Sequence, residues 1–158
     1  MTRVEKHDLG DIRMESLQSR DVAEMSRTLA SMDPWRMLDY KPETLAFYLL
    51  RADPSLKRYS IIIAGKVSGV LSVRFPWLFG PFIELMALFD DSRGKGYGRQ
   101  LIDWVGRYFP SSPNLWASVS SFNLDAQKFY RSTGFEQAAV LQDLIKRGQN
   151  EILLRKRL

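Results

Sequence analysis

The stretch SRGKGYGRQL, residues 92–101, carries glycines at 94, 96 and 98 and basic residues at 93, 95 and 99. Glycine lets the backbone turn freely and leaves N–H groups exposed, and Arg93, Lys95 and Arg99 add positive charge. Together these suit a phosphate. FIELMALF, residues 82–89, runs just upstream and reads as an apolar strand broken by one charge, Glu84. Downstream, Tyr97, Leu101, Trp104, Val105 and Tyr108 recur at helical spacing. Residues 96–109 therefore read as an amphipathic helix whose first turn holds the glycines. The unit is strand, glycine loop and helix N-terminus, where free N–H groups and the helix dipole both favour an anion.

Several phosphate designs share these parts. A P-loop needs Gly-Lys followed by Ser or Thr to hold magnesium, and here Gly94-Lys95 is followed by Gly96. A dinucleotide fingerprint needs another glycine spacing at the first strand–helix turn. KGYG, residues 95–98, matches the start of an RNA-recognition signature. That signature continues with aromatics on a strand, whereas this chain continues Arg99-Gln100-Leu101-Ile102 on a helix. Plain turn chemistry explains three glycines in five residues poorly, because each costs about 1 kcal/mol relative to Ala at a helix start.

Working outward, IRMESL (12–17) alternates as a first strand, and Asp21 opens a helix with Val22, Met25 and Leu29 on one face. Pro42 begins a second helix. Residues 59–64 and 67–75 form a hairpin about a Gly65-Lys66 turn. After the glycine loop and its helix come a strand at 114–119, a helix at 123–133 ended by Gly134, and strands at 135–141 and 152–157. The order is mixed α/β with six to seven strands, and the 158 residues read as one domain. An apolar fraction of 45% supports a folded core, and the net charge of +5 admits anionic partners. There is no cysteine and one histidine, His7, so a thiolate nucleophile, a His-based triad and a zinc site are not expected. The opening MTRVEKHDLG has no apolar core, and the longest apolar run is too short to span a membrane. A soluble, cytoplasmic protein is the expectation.

Arg93 to Gly98 follows the pattern Q/R-x-x-G-x-G, and residues 123–135 follow N-x-x-A-x-x-F-Y-x-x-x-G-F. The two blocks in this order resemble the GNAT N-acetyltransferase superfamily. The resemblance covers residues 82–140 and is only topological before them. It implies a mostly antiparallel sheet splayed near its middle, with helices on both faces, and acetyl-CoA as cofactor. It also implies that Arg93, Gly94, Lys95, Gly96, Tyr97, Gly98 and Arg99 seat the pyrophosphate, mostly through backbone N–H. The pantetheine arm would pair along Met86, Ala87 and Leu88, and Asn123 would bond the cofactor arm. Tyr130 would protonate the departing thiolate. Asn123 is equally a preferred helix N-cap, and the Tyr130 hydroxyl has an alternative use on backbone.

Some members place a glutamate five residues before the asparagine, where this chain has Ser118. Serine cannot take the proton unaided, although it can hold a water. Glu84 is the other candidate base, or else faces outward from its strand. The family's acceptor site maps to residues 32–37, where Asp33 would draw an amine and Trp35 would line a pocket. The expected activity is acetyl transfer to a primary amine, on a protein or a small molecule, by direct attack. A non-catalytic acetyl-CoA sensor and a basic RNA- or anion-binding module are the alternatives. Nucleic-acid and membrane partners are not expected, and a homodimer through the late strands remains open.

Overall fold

The structure is a computed structural model describing residues 3–89, 92–109 and 111–158. One sheet runs β1 (Lys6–Asp8), β2 (Arg13–Ser16), β3 (Leu56–Ile63), β4 (Lys66–Trp77), β5 (Gly80–Leu88), β6 (Asn114–Ser120), β8 (Glu151–Arg157), β7 (Glu136–Leu141). Its four helices, among the described residues, are α1 (Ser19–Ala30), α2 (Pro42–Leu50), α3 (Tyr97–Tyr108) and α4 (Leu124–Ser132). Every strand pairing is antiparallel except β5 with β6.

The strand beyond the expected seven is β1. Its three residues are all polar, so no apolar alternation announces it. It is held by its ladder to β2 and by His7, whose ring packs on Tyr59, Trp104 and Tyr108. The β3–β4 turn is Ala64-Gly65, not Gly65-Lys66, because Lys66 already pairs with Ile63. Both turn residues have positive φ, +49° and +77°, which matches the twist of a two-residue hairpin.

Helices cover both faces. On one, Leu101, Ile102 and Val105 of α3 and Tyr130 of α4 join Leu71, Ile83, Leu115, Ala117 and Val119. On the other, Val22, Met25 and Leu29 of α1 and Leu45 and Leu49 of α2 bury Val70, Leu85 and Ala87. The apolar spacing read from the sequence thus names the buried stripe of each helix.

Strand β5 changes face partway along. Val73 pairs with Ile83 but Ser72 pairs with Leu85, so Glu84 is an extra residue, a β-bulge. Ile83 therefore enters the α3/α4 core while Leu85 and Ala87 enter the α1/α2 core.

Candidate active site

The bulge marks the place where the sheet opens. The parallel ladder between β5 and β6 consists of Phe82 with Trp116 and Ile83 with Ala117. Beyond it the strands diverge. Met86, Ala87 and Leu88 pair with Leu71, Val70 and Gly69 on one side, and no ladder among the described residues covers their other edge. A cleft of about 1040 Å³ fills the wedge. Met86, Ala87, Leu88, Arg93, Gly94, Gly96, Tyr97, Gly98, Arg99, Asn123, Asp33 and Trp35 all line it. Three other residues singled out in the sequence, Lys95, Glu84 and Tyr130, are not among the lining residues.

The glycine loop has the geometry of an anion seat. Gly94 and Gly96 have φ of +73° and +82°, and a Cβ added at either meets nothing within 4 Å. The open space lies where a ligand would approach the backbone. Gly96 is the N-cap of α3 and no described side chain caps it. The first-turn N–H groups thus lack intrahelical partners, since the ladder starts at Gln100 N–H, which donates to Gly96 at 3.3 Å. Gly98 has a different task, because a Cβ there would lie 2.8 Å from Cζ of Phe129. Its small size lets α3 approach α4.

The basic residues divide. Arg93 Nε donates to the Leu88 carbonyl at 3.2 Å, and Arg99 Nη2 to the Ser132 carbonyl at 3.3 Å. Both still line the cleft. Lys95 does not. It is exposed and borders a separate hollow with Asp21, Glu24 and Ser68.

Helix α4 brings Asn123 to the cleft from the β6 side, whereas Tyr130 packs in the core and does not line the cleft. Asn123 Oδ1 accepts from Ala126 N–H at 3.2 Å, so the asparagine is the N-cap of α4, and it lines the cleft. Buried Gln127 ties the helix to β6, its Nε2 donating to the carbonyls of Ser120 and Ser121 at 3.3 and 3.0 Å. Gly134 has φ of +96°, the left-handed residue that ends the helix. Tyr130 is 7% exposed, with its ring edge-on to Phe129 and Phe135. Its hydroxyl makes no hydrogen bond among the described residues, so the backbone partner is not found. It is also not among the sealed, unpartnered atoms. Burial pushes the phenol's pKa up and keeps it protonated.

Glu84 fits neither role read from the sequence. Arg74 grips both its oxygens, Nε to Oε1 at 2.9 Å and Nη2 to Oε2 at 3.2 Å, and the Tyr48 hydroxyl donates to Oε2 at 2.7 Å. Arg74 also donates to Asp53 Oδ2 at 2.9 Å. The bulge swings Glu84 toward α2, so it braces β5, β4, α2 and the loop before β3 instead of facing the cleft. The geometric basis for Glu84 as base is removed. Asp33 is exposed at the cleft rim and forked by Arg36, Nε to Oδ1 at 2.9 Å. That hydrogen bond holds its carboxyl below the usual carboxylate range. Trp35 packs partly buried against the α1/α2 core. One buried charged group, Glu151, carries no signal in the sequence, because a Glu beside a polar loop gives no periodic pattern.

The family model described as the acetyltransferase (GNAT) family matches residues 20–135. The chain belongs to this family. The GNAT family uses acetyl-CoA. Solved structures share the fold across nearly the whole chain. An acetyltransferase from Thermus thermophilus is 18% identical, with 96% of this chain and 100% of that one covered and a TM-score of 0.75. The ribosomal L7/L12 α-N-protein acetyltransferase RimL is 14% identical, with 98% and 95% covered and a TM-score of 0.77. A spermidine N-acetyltransferase from Vibrio cholerae, solved with CoA and spermine, is 15% identical, with 93% and 95% covered and a TM-score of 0.71. No curated protein sequence matches the chain. Among the described residues no helix is long and apolar enough to cross a membrane.

Proposed function

We propose that this chain is an acetyl-CoA-dependent N-acetyltransferase that acts on a primary amine by direct attack. The observation that carries the reading is the wedge itself: an uncapped helix N-terminus, two open glycines and an unpaired strand edge line one cleft. Acetyl-CoA bound there supplies an activated thioester carbonyl. The residues present fit it. The N–H groups at the start of α3 hold an anionic pyrophosphate. The bare edge of Met86–Leu88 offers backbone groups to an extended arm, as a strand edge does to an added strand. Arg93 already occupies the Leu88 carbonyl, so it must swing away where the arm pairs there. Asn123 keeps a donor pair for the same arm.

Tyr130 holds the proton that a departing thiolate needs. Its raised pKa does not remove it from this role, because the same dry surroundings raise a thiol's pKa as well. The amine must arrive neutral. For a lysine-type amine near pKa 10.4, deprotonation at pH 7 costs about 4.6 kcal/mol, against about 1.4 kcal/mol for an α-amine near 8. Asp33 and Trp35, at the opposite rim, stand where an acceptor would enter. The acceptors named for structural neighbours, spermine and a ribosomal protein N-terminus, make polyamines and α-amino peptides the first classes to assay.

The test is thiol release from acetyl-CoA over such a panel, with wild-type chain and Tyr130→Phe. We expect kcat to fall about 100-fold in the variant, the usual worth of a placed acid, with acetyl-CoA affinity unchanged. Unchanged kcat on an accepted amine removes the acid role from Tyr130.

A further inference from the structure

Strand alternation sorts the side chains of β6. Leu115, Ala117 and Val119 enter the α3/α4 core, so Ser118 and Ser120 face the other side of the sheet. In β8, Ile152 and Leu154 belong to the α3/α4 core, so Glu151 shares the face of Ser118 and Ser120. Glu151 pairs directly with Ser120 in the ladder, and the Ser120 hydroxyl donates to its Oε1 at 2.5 Å.

This corner touches the wedge on two sides. Ser121 N–H donates to the Asn150 carbonyl at 2.9 Å, and the next residues, Phe122 and Asn123, line the cleft. Lys146, from the loop before β8, donates to the carbonyl of Met37, another lining residue, at 3.2 Å. Tyr40, just ahead of α2, feels the Glu151 charge.

Glu151 is 5% exposed and has no cation partner among the described residues. Lys146, from the loop before β8, is bound to Asp39. The groups that act on Glu151 are Ser120 from β6 and Tyr40 from the segment before α2, and neither is cationic. Its second oxygen accepts no hydrogen bond from any described residue, and it is not among the sealed atoms. Buried carboxylates are ordinarily paired. Glu151 does not itself line the cleft, but Asn150 beside it bonds Ser121, which leads into the lining residues Phe122 and Asn123. A carboxylate kept there without a counter-ion is matched to a cation that comes from outside.

We propose that Glu151 is the acceptor-side carboxylate of this site: its free oxygen receives the acceptor's ammonium group and takes one proton from it. The step converts R–NH3⁺ and a carboxylate into R–NH2 and a carboxylic acid, and Glu151 later returns its proton to solvent. Burial raises the Glu151 pKa, which brings the carboxylate closer to the amine it must deprotonate. The inference rests on the acetyltransferase reading. It would place the base on β8, two register steps from Ser118.

The test uses the full chain saturated with CoA, and two probes: spermidine and a short peptide with a free α-amine. The side-chain carboxyl ¹³C resonance of Glu151 is assigned by its loss in Glu151→Gln. We expect at least one probe to move this resonance at pH 7 and to lower its titration midpoint. A resonance that neither probe moves overturns the proposal. With a probe that the wild type acetylates, Glu151→Gln should lower kcat/KM about 100-fold and abolish the acidic limb of the pH profile, with acetyl-CoA binding unchanged. An intact limb overturns the proposal as well. Loss of acetyl-CoA binding by the wild type would instead defeat the acetyltransferase reading.

Discussion

Two glutamates, one on β5 and one on β8, are treated in opposite ways. Glu84, on the β5 side, is gripped by an arginine fork and a phenol, and the fork's third nitrogen reaches a second carboxylate. Glu151, on the β8 side, is buried more deeply and has one hydroxyl and no cation among the described residues. Burying a carboxylate beside Arg satisfies its charge within the fold. Burying one without a partner lowers stability and is retained where something else uses the charge. Position in an apolar strand is therefore a poor guide to a catalytic carboxylate; the absence of an internal counter-ion is a better one.

The largest stability effect should come from breaking the brace. Arg74→Met strands Glu84 and removes a partner of Asp53. We expect a loss of about 2 kcal/mol in urea unfolding, below the ~3–5 kcal/mol of a sealed pair because these side chains keep some solvent contact. Turnover should stay within about threefold of wild type. A large loss of turnover in a stable Arg74→Met chain would return Glu84 to the chemistry.

Two glycines sharpen the same contrast between fold and function. At Gly98 an added methyl meets Phe129, so Gly98→Ala should cost about 1 kcal/mol of stability, partly restored by Phe129→Leu. At Gly96 the methyl meets open space, so Gly96→Ala should weaken acetyl-CoA binding about tenfold by calorimetry. Its positive φ adds about 1 kcal/mol of strain to folding. Comparable affinity losses at the two positions would erase the distinction.

The smallest effect has the opposite sign. Burial raises the folded-state pKa of Glu151 above its unfolded value. That contribution favours folding below the unfolded pKa and disappears as pH rises through the folded one. Glu151→Gln should therefore melt higher than wild type at pH 8, with the advantage shrinking as pH falls. Glu84→Gln should melt lower than wild type at neutral pH.

The residues of the glycine-loop side of the cleft were readable because glycine spacing and helical periodicity are local. Gly94, Gly96, the start of α3 and the Asn123 block lie where the sequence places them. Glu84 was not readable, since the bulge that turns it toward α2 depends on register with β4. Lys95 borders a different hollow from Arg93 and Gly96, which glycine spacing alone does not reveal. Strand β1 is polar throughout and declares itself only by pairing. Glu151 needed the order β6-β8-β7, which sets the last strand beside Ser120; no local signal contains that order.

The most direct test of the account is a calorimetric titration of the full chain with acetyl-CoA, beside ATP and a short RNA, at two salt concentrations. The wedge predicts one acetyl-CoA per chain with micromolar affinity, weakened in Gly96→Ala and retained in Glu151→Gln. No acetyl-CoA binding, together with salt-sensitive RNA binding, would contradict it.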